Sequence, residues 1–371
     1  MSADFEIQLI AVLVAVACAL PGTFLVLRNM SMMSDSITHT ILLGIVLAFF
    51  LVQDLSSPLL ICGAAVIGVV TVWLTETVTR TRLVSEDSAI GIVFPLLFSI
   101  AIILITRYAG SVHLDTDSVL LGELAFAPFD RLVVFGVDLG ARSIYTSGLL
   151  LAVNLVFILV FYKELKLSTF DPMLAAILGF SPAVMHYALM TLVSLTTVGA
   201  FEAVGSVLVV AFMIGPPVTA WLLTDDLRRM LLLSALFGAL SGVLGYQLAV
   251  LLDVSIAGSM ALVTGLEFAL VFVFAPKRGL IRVLTRRRRQ RTEFAEATLL
   301  LHICHHHGRA ESCQENGLTT VIEHLHWDQK KLDKTIRSLV QKKMLVLHDG
   351  ILVPTESGLR SNREFSRLLE R

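Results

Sequence analysis

Charge is scarce in this chain. Only 16% of its 371 residues are Asp, Glu, Lys or Arg, while 56% are hydrophobic and the mean hydropathy is +0.80. Soluble domains are about 45–50% apolar, so the composition excludes an ordinary soluble protein and indicates an integral membrane one. Cysteine is also sparse. Cys18, Cys62, Cys304 and Cys313 form no C-x-x-C pair and the first two sit in apolar runs, so no disulfide framework is implied and a reducing compartment for the polar tail is compatible. The N-terminus lacks a basic n-region and an A-x-A site, so its first apolar run reads as a retained span rather than a signal peptide. No G-x-x-x-x-G-K-[ST] occurs, so the chain does not cradle ATP phosphates by that route.

What is present falls into two regimes. Apolar runs long enough to cross a bilayer as helices lie near 6–27, 31–53, 58–79, 89–107, 144–162, 183–203, 205–223, 230–252 and 256–275. Beyond them, eight Lys or Arg and no acid lie between Lys277 and Arg291, and seven of ten histidines follow residue 300. The expected division is a membrane domain at 1–276, a basic juxtamembrane linker at 277–292 and a cytoplasmic domain at 293–371. Basic loops at Arg80/Arg82, Lys163/Lys166, Arg228/Arg229 and 277–291 mark the inner side, with Arg107, Arg131 and Arg142 as exceptions. The tail is then cytoplasmic and the N-terminus outside. Pro21-Gly22, Pro95 and Gly215-Pro216-Pro217 are expected to interrupt their helices, as substrate paths in transporters often do.

Inside the second span, "SMMSDSITHT" places Asp35 and His39 one helical turn apart. Ionisable groups in a membrane helix are costly unless they face a cavity or partner, and carboxylate plus imidazole suits Mn²⁺, Fe²⁺ or Zn²⁺. The competing reading pairs Asp35 with Arg28. Two ligands leave such a site incomplete; Glu123 and His186, both in apolar surroundings, are the further candidates, with Glu202 a weaker third. His113, Asp115 and Asp117 form a possible outer cation funnel or a plain solvated loop. The segment "FDPMLAAILGFSP" reads as a short helix too brief to span, with Asp171 as cap, Pro172 at its first position and Gly179 as its end.

The tail carries helical patterns at 293–307, 318–325 and 328–345, with Leu332, Ile336, Leu339 and Val340 at core spacing. A hairpin signal at Asp349-Gly350 and a closing helix follow. That order is the order of a winged helix-turn-helix module. The expected fold class is therefore an all-α polytopic membrane protein of about eight or nine spans with a small cytoplasmic winged-helix (α+β) domain.

The stretch "FLVLRNMSMMSDSITHTILLGIVLAF" resembles the metal-type ABC permeases, the family importing manganese, zinc or iron(II). Its hallmark maps to Asp35, His39 and Gly44. "SEDSAIGIVF", "FDPMLAAILGFSP" and "AVGSVLVVAFMIGPPVTA" resemble further family segments, with Pro217 as a departure, and "VHLDTDSVLLGELAF" is similar to the manganese/iron branch. The resemblance implies a permease rather than an enzyme, in the cytoplasmic (inner) membrane. It implies transport of Mn²⁺ or Fe²⁺ first, with Zn²⁺ also fitting, and no permanently bound cofactor. It places metal at Asp35, His39, Glu123 and His186. Asp171, Ala175 and Gly179 would couple to a separate cytoplasmic ABC ATPase, the only subunit to use ATP. The other implied partners are an extracytoplasmic metal-binding protein, a second permease chain and lipid. The tail resembles the DNA-binding domain of iron- and manganese-dependent repressors. It offers Gln329, Lys330, Lys331, Lys334 and Arg337 to nucleic acid, and His302, Cys304 and His306, with Cys313, His324 and His326 nearby, to a regulatory metal. Two rival readings stay open: a membrane-tethered metal-responsive DNA regulator, and a proton-coupled secondary metal transporter.

Overall fold

The computed structural model describes residues 3–53, 57, 59–108, 124–134, 137–308, 312–348 and 350–369. Two compact units emerge, Met1–Gly279 and Leu280–Arg371.

In the first unit, nine helices among the described residues are long and apolar enough to span a membrane. They are α1 (Ala3–Leu27), α2 (Ser31–Val52), α3 (Leu59–Arg80), α4 (Glu86–Tyr108), α5 (Arg142–Val160), α8 (Pro182–Val204), α9 (Ser206–Leu223), α10 (Leu227–Leu252) and α11 (Ile256–Phe274). Between α5 and α8 lie two short helices, α6 (Tyr162–Phe170) and α7 (Pro172–Ile177). A hairpin of β1 (Arg131–Val134) and β2 (Val137–Ala141) precedes α5. The most enclosed span is α1, packed against α10, α9, α5 and α8, while α2 packs on α3 and α4.

The prolines do not interrupt these helices, contrary to the sequence expectation. Pro21, Pro95, Pro216 and Pro217 all lie within continuous helix. A proline removes the N–H that the carbonyl four residues back requires, so the repair must come from elsewhere. For Pro21 that carbonyl is Ala17, and it accepts a 2.8 Å hydrogen bond from the side chain of Asn154 on α5. For Pro217 it is Met213, whose carbonyl lies against Gly22 so closely that any Cβ there would overlap it. Gly22 of α1 thus packs directly on the carbonyl that Pro217 leaves open in α9. The true break is Gly205, the single residue between α8 and α9.

Small residues also set the seat of α2. A Cβ on Gly44 would strike the backbone of Gly63 and Ala64 on α3, and one on Gly63 would meet Ala48. Backbones approach this closely only where side chains are absent. Thr71 donates to Thr40 across the same seam at 2.8 Å.

Arg131, an exception to the charge rule, is neutralised locally. It contacts the buried Glu6 at 3.0 Å and Asp138 at 2.9 Å, and its hydrogen bonds hold the Asp138 carboxyl below the usual carboxylate range.

In the second unit, α12 (Leu280–His306) is followed by α13 (Ser312–Glu315), α14 (Leu318–Leu325) and α15 (Gln329–Gln341). The antiparallel pair β3 (Leu345–His348) and β4 (Ile351–Pro354) comes next, then α16 (Glu356–Leu369). From Leu280 the basic run is the opening of α12, rather than a separate linker. Leu299, Ile303, Val321, Leu332, Ile336, Leu339, Leu345 and Leu352 form the core. Val340 does not join it and is 42% exposed. Glu296, almost buried, receives Ser338 and Lys342.

Candidate functional site

Asp35 and His39 meet as the one-turn spacing requires, with His39 Nε2 3.6 Å from Asp35 Oδ1. The imidazole rests against two α4 rings, Phe94 at 5.1 Å and Phe98 at 6.1 Å between centroids. The side chains remain 29% and 40% exposed, His39 and Asp35 respectively, on a helix that otherwise buries its polar groups. Ser34, Ser36, Thr38 and Thr40 on either side are all buried. Arg28 is not the partner of Asp35. Its guanidinium donates to Ser168 at 2.9 Å and Thr169 at 3.1 Å on α6, and reaches His186 Nδ1 at 3.3 Å.

His186 belongs to that second cluster, and the structure does not bring it to the Asp35–His39 pair. Its Nε2 lies 2.5 Å from Glu76 Oε1, and Tyr187 donates to the other Glu76 oxygen at 2.7 Å. Because Arg28 can only donate, His186 Nδ1 is the acceptor and the ring proton sits on Nε2, facing Glu76. The cluster borders an open cavity of about 530 Å³ lined by Met33, Glu76, Arg80, Glu86 and His186, among others. Glu76 and Arg28 were not foreseen in these roles, although Glu76 is an acid in an apolar helix and the same rule that picks Asp35 would have found it. Glu123, His113, Asp115 and Asp117 lie outside the described residues, as does the Glu202 side chain.

The short helix α7 has the expected caps. Asp171 accepts from the Leu174 N–H at 2.9 Å, Pro172 opens the helix, and Gly179 follows it at φ 87°. Ala175 is fully buried. The surface it offers is apolar: Met173 and Ile177 are each 76% exposed, and Leu178 is exposed beside them. In the turn between α9 and α10, Lys277 and Arg278 hold the Asp225 carboxyl below its ordinary range.

In the second unit, the His302 and His306 rings meet at a tilt of 54° with centroids 5.0 Å apart, but Cys304 packs against the hydrophobic core and burial pushes its thiol up to about 11. Of the proposed nucleic-acid contacts, Gln329 bonds Asp333 and Lys331 sits 4.1 Å over the Trp327 ring. Lys330, Lys334 and Arg337 are exposed.

The model of the ABC 3 transport family matches residues 5–275, the whole membrane unit but its ends. The chain belongs to that family. It is 45% identical over 354 residues to the zinc transport system membrane protein TroD of Treponema pallidum, covering 95% of this chain and 96% of that one. It is 48% identical over 280 residues to the manganese transport system membrane protein MntD of Bacillus subtilis, covering 75% of this chain and 95% of that one. Among solved structures, PsaBC from Streptococcus pneumoniae in complex with Fab matches with a TM-score of 0.63 at 29% identity, over 76% of this chain and 95% of that one. The chain is thus a permease component of a metal ABC transporter, not an enzyme.

Proposed function

We propose that this chain is the permease subunit of an importer carrying a divalent first-row metal across the cytoplasmic membrane. The observation that supports it most directly is the half-exposed Asp35–His39 pair on a spanning helix. A carboxylate and an imidazole facing outward from a membrane bundle need a cover, and a second permease chain presenting its own ligands supplies both cover and coordination. Mn²⁺ and Fe²⁺ suit this oxygen–nitrogen set, and the zinc named for the TroD relative suits it equally.

In this reading an extracytoplasmic binding protein delivers the ion, and Asp35 and His39 hold it weakly enough to release. A separate cytoplasmic ATPase drives the cycle by docking on α7 through Met173, Ile177 and Leu178. Arg28 carries that motion from α6 to His186 and Glu76. The second unit, a cytoplasmic winged helix by its order of helices and hairpin, is regulatory. The test is metal uptake by vesicles holding the permease with its ATPase. Asp35→Ala and His39→Ala each reduce uptake to background with normal insertion, and normal uptake in both overturns the reading. Competing Mn²⁺, Fe²⁺ and Zn²⁺ then rank the cargo.

A further inference from the structure

Outside the membrane, three side chains from three separate helices of the second unit converge. Among the described residues, His302 of α12, Glu315 of α13 and His324 of α14 form the one group of three His, Cys, Asp or Glu whose ligand atoms all lie within 4.8 Å of one another. Glu315 Oε2 is shut off from solvent and lies 3.2 Å from His324 Nδ1. His302 Nε2 is 3.4 Å from the Glu315 carbonyl oxygen, and its ring centroid is 5.7 Å from that of His324. One turn further along α12, the His306 ring centroid is 5.0 Å from that of His302.

A simple Glu–His pair accounts for the Glu315–His324 contact alone. It gives no reason for a further imidazole, His302, to bring its ring nitrogen within 4.8 Å of the same carboxylate. A divalent cation gives one. Tetrahedral Zn²⁺ holds its ligand atoms about 3.3 Å apart, given bond lengths of ~2.0 Å, so a set already within 4.8 Å closes on it by small side-chain rotations. Two imidazoles and a carboxylate are borderline donors, and Zn²⁺ stands above Mn²⁺ and Fe²⁺ in affinity for such sites.

We propose that His302, Glu315 and His324, with His306 completing the shell, form a Zn²⁺-binding site that fastens the end of α12 to α13 and α14. Cys304 is not part of it, because its side chain packs into the core. The site is independent of the transport reading: it lies in a different unit and uses none of the same residues.

The test uses the full-length chain in detergent, stripped of metal and dialysed against Zn²⁺. In a background with Asp35→Ala and His39→Ala, which removes the membrane pair, the chain retains about one zinc per protein. Adding His302→Gln and His324→Gln abolishes that zinc. Glu315→Gln alone weakens it by at least roughly 100-fold, since even outer-shell losses cost about 10–100-fold. Zinc binding unchanged by these substitutions, or absent from the Asp35/His39 background, overturns the site. Co²⁺ loaded into the unsubstituted tail of that background checks the ligand set without any tail variant. Visible d–d bands with no thiolate charge-transfer band fit the assignment, and a thiolate band would instead bring in a cysteine and overturn it.

Discussion

Asn154 is the residue on which the continuity of α1 rests. Its amide donates to the Ala17 carbonyl that Pro21 leaves without a partner, and its own oxygen accepts from Thr196. Asn154→Leu keeps the branched side-chain shape but orphans a buried carbonyl, at a cost of about 1–3 kcal/mol. The expected result is a lower unfolding temperature of the purified protein. Pro21→Ala on that background returns an N–H to Ala17 and should recover most of the loss; no recovery would mean the hydrogen bond is not the cause. None of this was legible from sequence, because a proline announces a missing donor but not which distant side chain replaces it. His186 shows the same limit. Apolar surroundings marked it as a ligand candidate, yet its two nitrogens face Arg28 and Glu76. His186→Gln should therefore lower the maximal uptake rate while leaving the metal concentration for half-maximal uptake within about twofold, whereas loss of a ligand would raise that concentration.

At the scale of elements, the spans were readable because hydropathy over some twenty residues is a strong local signal. The nine expected runs match the nine helices to within a few residues. The β1–β2 hairpin and α6 were not read, since both lie in short mixed segments whose form is set by contacts such as Arg131 with Glu6 and Arg28 with Ser168. For α7 the caps were legible and the working surface was not. Asp171 and Gly179 end the helix and Ala175 packs inward, so the face available to a partner is Met173, Ile177 and Leu178. Met173→Glu with Ile177→Glu leaves these caps intact and places two charges in an apolar contact. If α7 is the ATPase dock, capture of the ATPase by the solubilised permease should weaken by ~30-fold, equivalent to about 2 kcal/mol. Capture at the parental level would remove α7 from the interface.

At the scale of the whole molecule, the two units have separate hydrophobic cores, one running through α1, α2, α8 and α9 and the other through α12, α14, α15 and the β3–β4 hairpin. Each core is assembled from described residues of its own unit, so removing 293–371 should leave the bundle folded, and retaining 280–292 keeps the basic cluster expected to mark the inner side. The expected outcome is a truncated permease that inserts normally and takes up metal within about twofold of the full chain at low external metal. If the tail is regulatory, as proposed, any response to rising cytoplasmic metal should be lost with it. Vesicles preloaded with Zn²⁺ make the comparison: slowed uptake in the full chain and unslowed uptake in the truncation support a regulatory tail. Equal slowing in both would place the regulation in the membrane unit.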